Sequence, residues 1–380
     1  MTTELPPPVL VADAASLRTL VAELQTEPVV AVDTESNSLH AYRERVCLLQ
    51  FSSCTRDYIV DPLQLRDLSP LGGLFADPRQ QKVFHAAEYD LLCLKRDYQF
   101  EINEVFDTML AARILAWPQV GLAPILETRF GVQVDKKHQR ADWGRRPLTA
   151  AQLDYARIDT HFLIPLRDML LTELTALGRL EEAREDFVRI AQVMPEPEGE
   201  APAEFWRVAG ARDLTPAQAG VLRALHRYRE QQAEMADRPP FKVMSNATLL
   251  AIARRCPRRM EDLEGLDGMT PGQMRRHGAA LLQAVHQGLA RPHPRPPRPE
   301  REPEAIRERY ERLHQWRKAR GKARGVESDV ILPREALWEL ARSAPRTLPE
   351  LEAVRSLGPW RRQTYGAELL ALLNAANGRQ

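Results

Sequence analysis

Shifted by 88 residues, the C-terminal part of the chain aligns with itself without a gap. Leu225-His226 falls on Leu313-His314, Arg229 on Arg317, Ala253-Arg254 on Ala341-Arg342 and Pro257-Arg258 on Pro345-Arg346. Further on, Leu263-Glu264 falls on Leu351-Glu352, Pro271 on Pro359, Gly278-Ala279 on Gly366-Ala367 and Leu281-Leu282 on Leu369-Leu370. Where the residues differ they keep their character, as with Tyr228 and Trp316 or Val243-Met244 and Ile331-Leu332. The match means two copies of one small helical domain in tandem. Two linkers frame them. Residues 194–203 (MPEPEGEAPA) are acidic and Pro-rich, and residues 291–303 (RPHPRPPRPEREP) are rich in Pro and Arg, a composition that favours extended polyproline II chain. The expected layout is an N-terminal domain over 1–193, a linker over 194–210, one helical copy over 211–290, a second linker over 291–303 and the other copy over 304–377.

The N-terminal part alternates strand and helix signals. Segments 29–34 (VVAVDT), 46–51 (VCLLQF) and 57–60 read as strands, 63–75 as a helix, 82–85 (KVFH) as a strand and 87–98 as a helix. Val105-Phe106 suggest one more strand before helices near 108–116 and 121–130. Thr149 reads as the N-cap of a long helix ending near Leu177. This order predicts an α/β domain, a mixed sheet flanked by helices, followed by two all-α bundles.

Composition excludes several classes. The apolar runs are too short to span a membrane, and the first residues have neither the basic nor the apolar stretch of a secretory signal. None of the four cysteines forms a C-x-x-C pair, which fits inert thiols in a reducing compartment and a cytoplasmic location. The net charge of +1 hides an asymmetry. Residues 1–200 carry 21 Lys and Arg against 31 Asp and Glu, whereas residues 201–380 carry 32 against 21. A cation-binding acidic half beside a polyanion-binding basic half suits a nucleic-acid enzyme. Ordinary variation between domain surfaces is the alternative.

Three groups of acidic residues carry the chemistry. In Asp33-Thr34-Glu35 the two carboxylates share one face at the end of an apolar strand. Bare, such a pair is costly, and a divalent cation removes the cost. The other reading is a strand running out into an exposed acidic turn. Asp90 follows the 82–85 strand in the first turns of a helix, with Glu88 as competitor. It also reads as an exposed helix-start Asp favoured by the dipole. Tyr155 and Asp159 lie four residues apart, so a phenol and a carboxylate stack on one helix face. A core-edge Tyr with a surface Asp is the bland form of the same pattern.

Taken in this order, D-x-E on a strand, an Asp after a later strand and Y-x-x-x-D on a final helix resemble the DEDD 3′→5′ exonucleases of the tyrosine subgroup. Phe84-His85-Ala86 before Asp90 is similar to the ribonuclease D family, as are Lys136, Gln139, Asp142-Trp143 and Arg146-Pro147-Leu148 before the last motif. The two helical copies resemble HRDC domains. Ser36, after the D-x-E, is smaller than is typical at that position. The resemblance implies a ribonuclease H-like sheet and two divalent ions, Mg²⁺ or Mn²⁺, held by Asp33, Glu35, Asp90 and Asp159. Tyr155 would orient the attacking water, and nucleoside 5′-monophosphates would be released. The implied substrate is RNA with a free 3′ end, such as tRNA precursors and other small stable RNAs; a monomer is the expected state, which no residue pattern fixes. His85 and His161 read as residues that pack near or support the site, with substrate contact as the alternative for both. Lys136, Gln139, Arg140, Trp143 and Arg146 are the candidate RNA grip, or else part of a solvated basic loop. Arg pairs in the helical copies, such as Arg254-Arg255 and Arg361-Arg362, suggest RNA-binding surfaces. Scaffolding or protein binding remains open for them. DNA as substrate, or a non-catalytic RNA-binding role, are the rival functions.

Overall fold

The structure is a computed structural model that describes residues 5–195, 204–291, 294–295 and 302–374. Both Pro-rich linkers lie largely outside the described residues. In the N-terminal part the elements are β1 (Val9–Val11), α1 (Ala14–Leu24), β2 (Val29–Ser36), β3 (Val46–Ser52), β4 (Asp57–Val60), α2 (Pro70–Ala76), β5 (Gln81–Phe84), α3 (Glu88–Tyr98), β6 (Val105–Asp107), α4 (Thr108–Ile114), α5 (Leu122–Phe130), α6 (Ala150–His161), α7 (Leu163–Ala176) and α8 (Leu180–Ala191). The strands form one six-stranded mixed sheet in the order β1-β4-β3-β2-β5-β6. Strand β2 is central, antiparallel to β3 and parallel to β5. Its first half, Val30-Ala31-Val32, is fully buried, as expected of a strand covered on both faces. Polar residues begin at Asp33, where the strand approaches the edge of the core.

The expected strands are present, with β5 ending one residue early at Phe84. Two expectations about the other elements change. The helix expected over 63–75 is confined to α2, because Pro70 has no N–H and fits the first helical turn only. The preceding residues are held as turns by Asp61, which accepts from the Leu63 N–H at 3.0 Å and from Gln64 Nε2 at 2.7 Å. The long helix from Thr149 breaks at Phe162 into α6 and α7. Pro165 explains the break, since its ring would collide with the carbonyl of His161 in a continuous helix. Strand β1 and helix α1 come in addition to the expected elements; Asp13 and Ser16 form a capping box at the start of α1.

The helical half comprises α9 (Pro216–Met235), α10 (Pro240–Val243), α11 (Asn246–Arg255), α12 (Pro271–Ala290), α13 (Glu304–Arg324), α14 (Ser328–Ile331), α15 (Arg334–Ser343), α16 (Leu348–Glu352) and α17 (Pro359–Asn374). The repeat is physical as well as sequential. Helices α10 and α14, and α11 and α15, begin and end 88 residues apart. In each copy a buried arginine ties the first helix to the turn after the second. Arg229 donates to the Met244 carbonyl at 3.3 Å and Arg317 to the Leu332 carbonyl at 3.0 Å. Each copy has its own apolar core, centred on Leu225, Leu249 and Leu281 in the first and on Leu313, Leu337 and Leu369 in the second. Among the described residues no helix is long and apolar enough to cross a membrane.

The chain divides into two compact units. One holds the described residues within 1–36, 46–195 and 301–380, so the second helical copy shares a unit with the sheet. The other holds those within 37–45 and 196–300. In the first unit Arg361, 1% exposed, reaches Glu185 at 2.7 Å and Asp186 at 2.9 Å on α8. Arg324 pairs with the buried Glu182 at 2.5 Å.

Candidate active site

The polar end of β2 sets the site. Asp33 and Glu35 project to one face, and α6 packs across the same strands. Helix α6 starts at a capping box in which Thr149 and Gln152 satisfy each other's backbone N–H groups. Its far end is fixed by polar contacts. Thr160 Oγ1 lies 2.7 Å from Ser52 Oγ, Ser52 donates to Asp57 at 2.7 Å, and His161 Nδ1 lies 2.9 Å from the same carboxylate. Held at both ends, α6 brings Asp159 to β2. One oxygen from each of Asp33, Glu35 and Asp159 lies within 4.8 Å of the others.

Asp90 stands beside this trio. It lies in the first turn of α3, is 6% exposed, and accepts a hydrogen bond at 2.5 Å from Thr34 Oγ1, which points to the other face of β2. The competitor Glu88 is exposed. The four acids depress one another's ionisation. Burial first, and the charge of Asp159 second, raise the Asp33 carboxyl well above its usual range. Burial and the charges of Asp33, Asp159 and Asp90 push Glu35 up to about 10. Burial and Asp90 push Asp159 up to about 7. Burial and Asp33 raise Asp90 well above its usual range. A clustered set of hard oxygen donors that resists ionisation by itself fits a divalent cation such as Mg²⁺. Gln50 supports the same fit. It pairs with Asp33 across β2 and β3, is fully buried, and neither side-chain amide atom has a hydrogen-bond partner. Such groups mark places that a water or ion completes.

Tyr155 lies one turn before Asp159, with its ring 6.0 Å from that of Trp143. Burial, then the charges of Asp159, Glu35 and Asp33, raise its phenol far above the ordinary value. The hydroxyl therefore keeps its proton and can donate a hydrogen bond beside the carboxylates. His85 carries no charge, because burial pushes it down to about 4. Thr108 gives its hydroxyl proton to the Phe84 carbonyl at 3.0 Å, so His85 Nδ1 is the donor in their 2.9 Å bond. The next residue, Ala86, has a φ of 61°, a conformation strained for a side chain. Asp107 holds that turn by accepting from the N–H groups of Ala86 at 3.2 Å and Ala87 at 2.7 Å. Thr34, Gln50, Asp107 and Thr108 were not singled out from the sequence. Asp107 alone had a local signal, an N-cap position before an apolar helix.

The expected RNA grip needs correction at two residues. Trp143 is 1% exposed and packs with Cys47, Leu48, Ile59 and Ala156, so no base can stack on its face. Arg146 grips Asp61 with two hydrogen bonds, of 2.6 and 2.7 Å, and donates to the carbonyls of Cys47 and Trp143. Its guanidinium is spent on the fold. Gln139 and Arg140 are exposed, and the side chain of Lys136 lies outside the described residues. At the rim Tyr89 is 47% exposed, with its hydroxyl 3.0 Å from Ser36 Oγ.

Known proteins match at both scales. A sequence profile described as 3'-5' exonuclease matches residues 8–175, and one described as HRDC domain matches residues 218–285 and 307–373. Ribonuclease D of Gluconacetobacter diazotrophicus is 31% identical over 97% of this chain and 93% of its own. The crystal structure of Escherichia coli RNase D, described as an exoribonuclease involved in structured RNA processing, superimposes with a TM-score of 0.69 at 25% identity. That match covers 97% of this chain and 99% of the other. The catalytic core of RRP6 from Trypanosoma brucei gives a TM-score of 0.67 at 29% identity over 76% of this chain and 81% of its own. With sequence identity running nearly end to end through the sheet domain and both helical copies, this chain is a member of the ribonuclease D family and a 3′→5′ exoribonuclease.

Proposed function

We propose that this enzyme shortens RNA one nucleotide at a time through two divalent ions, Mg²⁺ or Mn²⁺, held by Asp33, Glu35, Asp90 and Asp159, and releases nucleoside 5′-monophosphates. The observation that carries the reading is the Asp33, Glu35 and Asp159 oxygens within 4.8 Å of one another. When bound, the ions offset the carboxylate charges, polarise the scissile phosphodiester and acidify the attacking water. The chain's own residues do the positioning. Asp33 and Glu35 are fixed by strand register, Asp159 by the clamped α6, and Asp90 by Thr34. Tyr155 stays protonated and orients the water by hydrogen bonding rather than removing its proton. The exposed Gln139 and Arg140 are the remaining loop candidates for phosphate contact.

Structured small RNAs, tRNA precursors among them, are the proposed substrates. The description of the Escherichia coli relative as a processor of structured RNA supports this choice. We place a monomer in the cytoplasm, a setting that suits four cysteines outside any disulfide. The test is digestion of a 3′-extended tRNA with Mg²⁺ or with chelator, resolving products nucleotide by nucleotide. Stepwise loss of the extension with 5′-monophosphate release, only with Mg²⁺, is expected. Internal cleavage, or equal activity in chelator, would overturn the reading.

A further inference from the structure

The duplication supplies an internal control for where RNA is gripped. Helices α9 and α12 of the first copy flank a groove of about 420 Å³. Its lining includes Arg223, Arg227 and Arg291 with Gln231, Gln283 and Gln287, and among the described residues no Asp or Glu lines it. Three guanidiniums supply fixed positive charge with planar forks that suit phosphate. Three primary amides both donate and accept, as ribose hydroxyls and base edges require.

At the same positions the second copy repeats Arg291 as Arg379 and has Arg312 for Ala224, but it loses the other two arginines and all three glutamines. Eighty-eight residues on, Gly220 becomes Glu308, Arg223 becomes Glu311, Arg227 becomes Gln315 and Ala280 becomes Glu368. The space is bridged as well, since Trp316 Nε1 donates to Glu368 at 2.8 Å and Arg320 Nε donates to the same carboxylate at 3.0 Å. The Arg pairs that stand out in the sequence do not separate the copies, because Arg254 and Arg258 recur as Arg342 and Arg346. The groove does.

We propose that the α9–α12 groove of the first helical copy is the site that binds the sugar–phosphate backbone of structured RNA, and that the second copy has no equivalent site. The proposal builds on the assignment of RNA as substrate, but its test does not depend on catalysis. In the full chain, the double variant Arg223→Ala/Arg227→Ala is compared with Glu311→Ala/Gln315→Ala at the matching positions of the second copy. Thermal melts confirm that both variants fold. Two probes are used, a hairpin RNA with a single-stranded 3′ tail for binding and a short oligoadenylate for hydrolysis.

Loss of two phosphate contacts should weaken hairpin binding at least tenfold and reduce the slope of log affinity against log salt by about 1.4–1.8. Hydrolysis of oligoadenylate should stay at the parental rate, and the second-copy variant should match the parent throughout. Hairpin affinity and salt slope unchanged in Arg223→Ala/Arg227→Ala would overturn the proposal, as would an equal loss in both variants. A parent that binds the hairpin through these arginines yet leaves oligoadenylate uncut would uphold the groove and refute the catalytic reading instead.

Discussion

Asp33 shows how a residue can serve a site at the expense of its fold. Without a cation, its ionised form is opposed by burial and by Asp159. The sign for stability follows. A carboxyl whose folded pKa is raised favours the native state while protonated. That contribution is full below the unfolded value of about 4 and is lost as pH rises through the folded values, about 7 for Asp159 and about 10 for Glu35. In chelator the protein should therefore lose Tm between about pH 5 and pH 8. At about pH 8 Asp33→Asn should raise Tm by about 2–5 °C while abolishing activity. Mg²⁺ should raise the Tm of the parent and not of the variant. A metal-free parent with a flat Tm over this range would contradict the charge-cluster account. Tyr155→Phe keeps the ring against Trp143 and removes only the hydroxyl. It should lower kcat by about 10–100-fold and leave the Mg²⁺ concentration for half-activity within about twofold. Asp33, Glu35, Tyr155 and Asp159 were legible in the sequence because strand and helix spacing put each pair on one face. Thr34 and Gln50 were not, since their roles depend on which strand and helix lie opposite.

Among the elements, local chemistry predicted what local chemistry decides. The strands and most helix starts followed from apolar runs and caps, such as Thr149 with Gln152. The break between α6 and α7 was also written in the chain, at Pro165, but the apolar run from Phe162 to Leu166 masked it. The basic stretch before α6 misled for a different reason. An Arg or Trp looks the same in sequence whether it faces a phosphate or the core, and only packing decides. Arg146, in a basic stretch that suggests a ligand for RNA, instead closes the loop onto Asp61, whose carboxyl stays below its ordinary range because the Arg146 and Gln64 bonds outweigh burial. Arg146→Ala should destabilise the protein by about 2–3 kcal/mol, since it strands a buried carboxylate. In chemical denaturation it should unfold at lower urea, with RNA affinity unchanged in the folded protein. Weaker RNA binding without a shift in the midpoint would restore the first reading of this residue.

At the scale of the whole molecule, the 88-residue repeat was the strongest signal in the sequence and carried through to matching helices and arginine ties. The sequence did not disclose that the two copies have different lives. The second shares a compact unit with the sheet domain, through Arg361 buried against Glu185 and Asp186. That pairing joins residues far apart in the chain, and Arg361 sits in an Arg pair that looks like a surface feature. Arg361→Ala should cost about 3–5 kcal/mol by taking a buried guanidinium away from Glu185 and from Asp186, which keeps Arg189 at 3.3 Å, whereas the exposed Arg355→Ala should cost almost nothing. Calorimetry on both variants distinguishes a structural tie from a surface patch, and equal Tm values would refute the tie. Three half-buried carboxylates gather around β2 with Asp90 beside them, and the proposed metal-dependent 3′→5′ shortening of RNA rests on them. It is tested most directly with a 5′-labelled RNA, following single-nucleotide shortening in Mg²⁺ by the parent, Asp33→Ala and Asp159→Ala, with RNA affinity measured in parallel. The expected result is a ladder receding from the 3′ end for the parent and none for either variant, at nearly unchanged affinity. Undiminished shortening by both variants would contradict it.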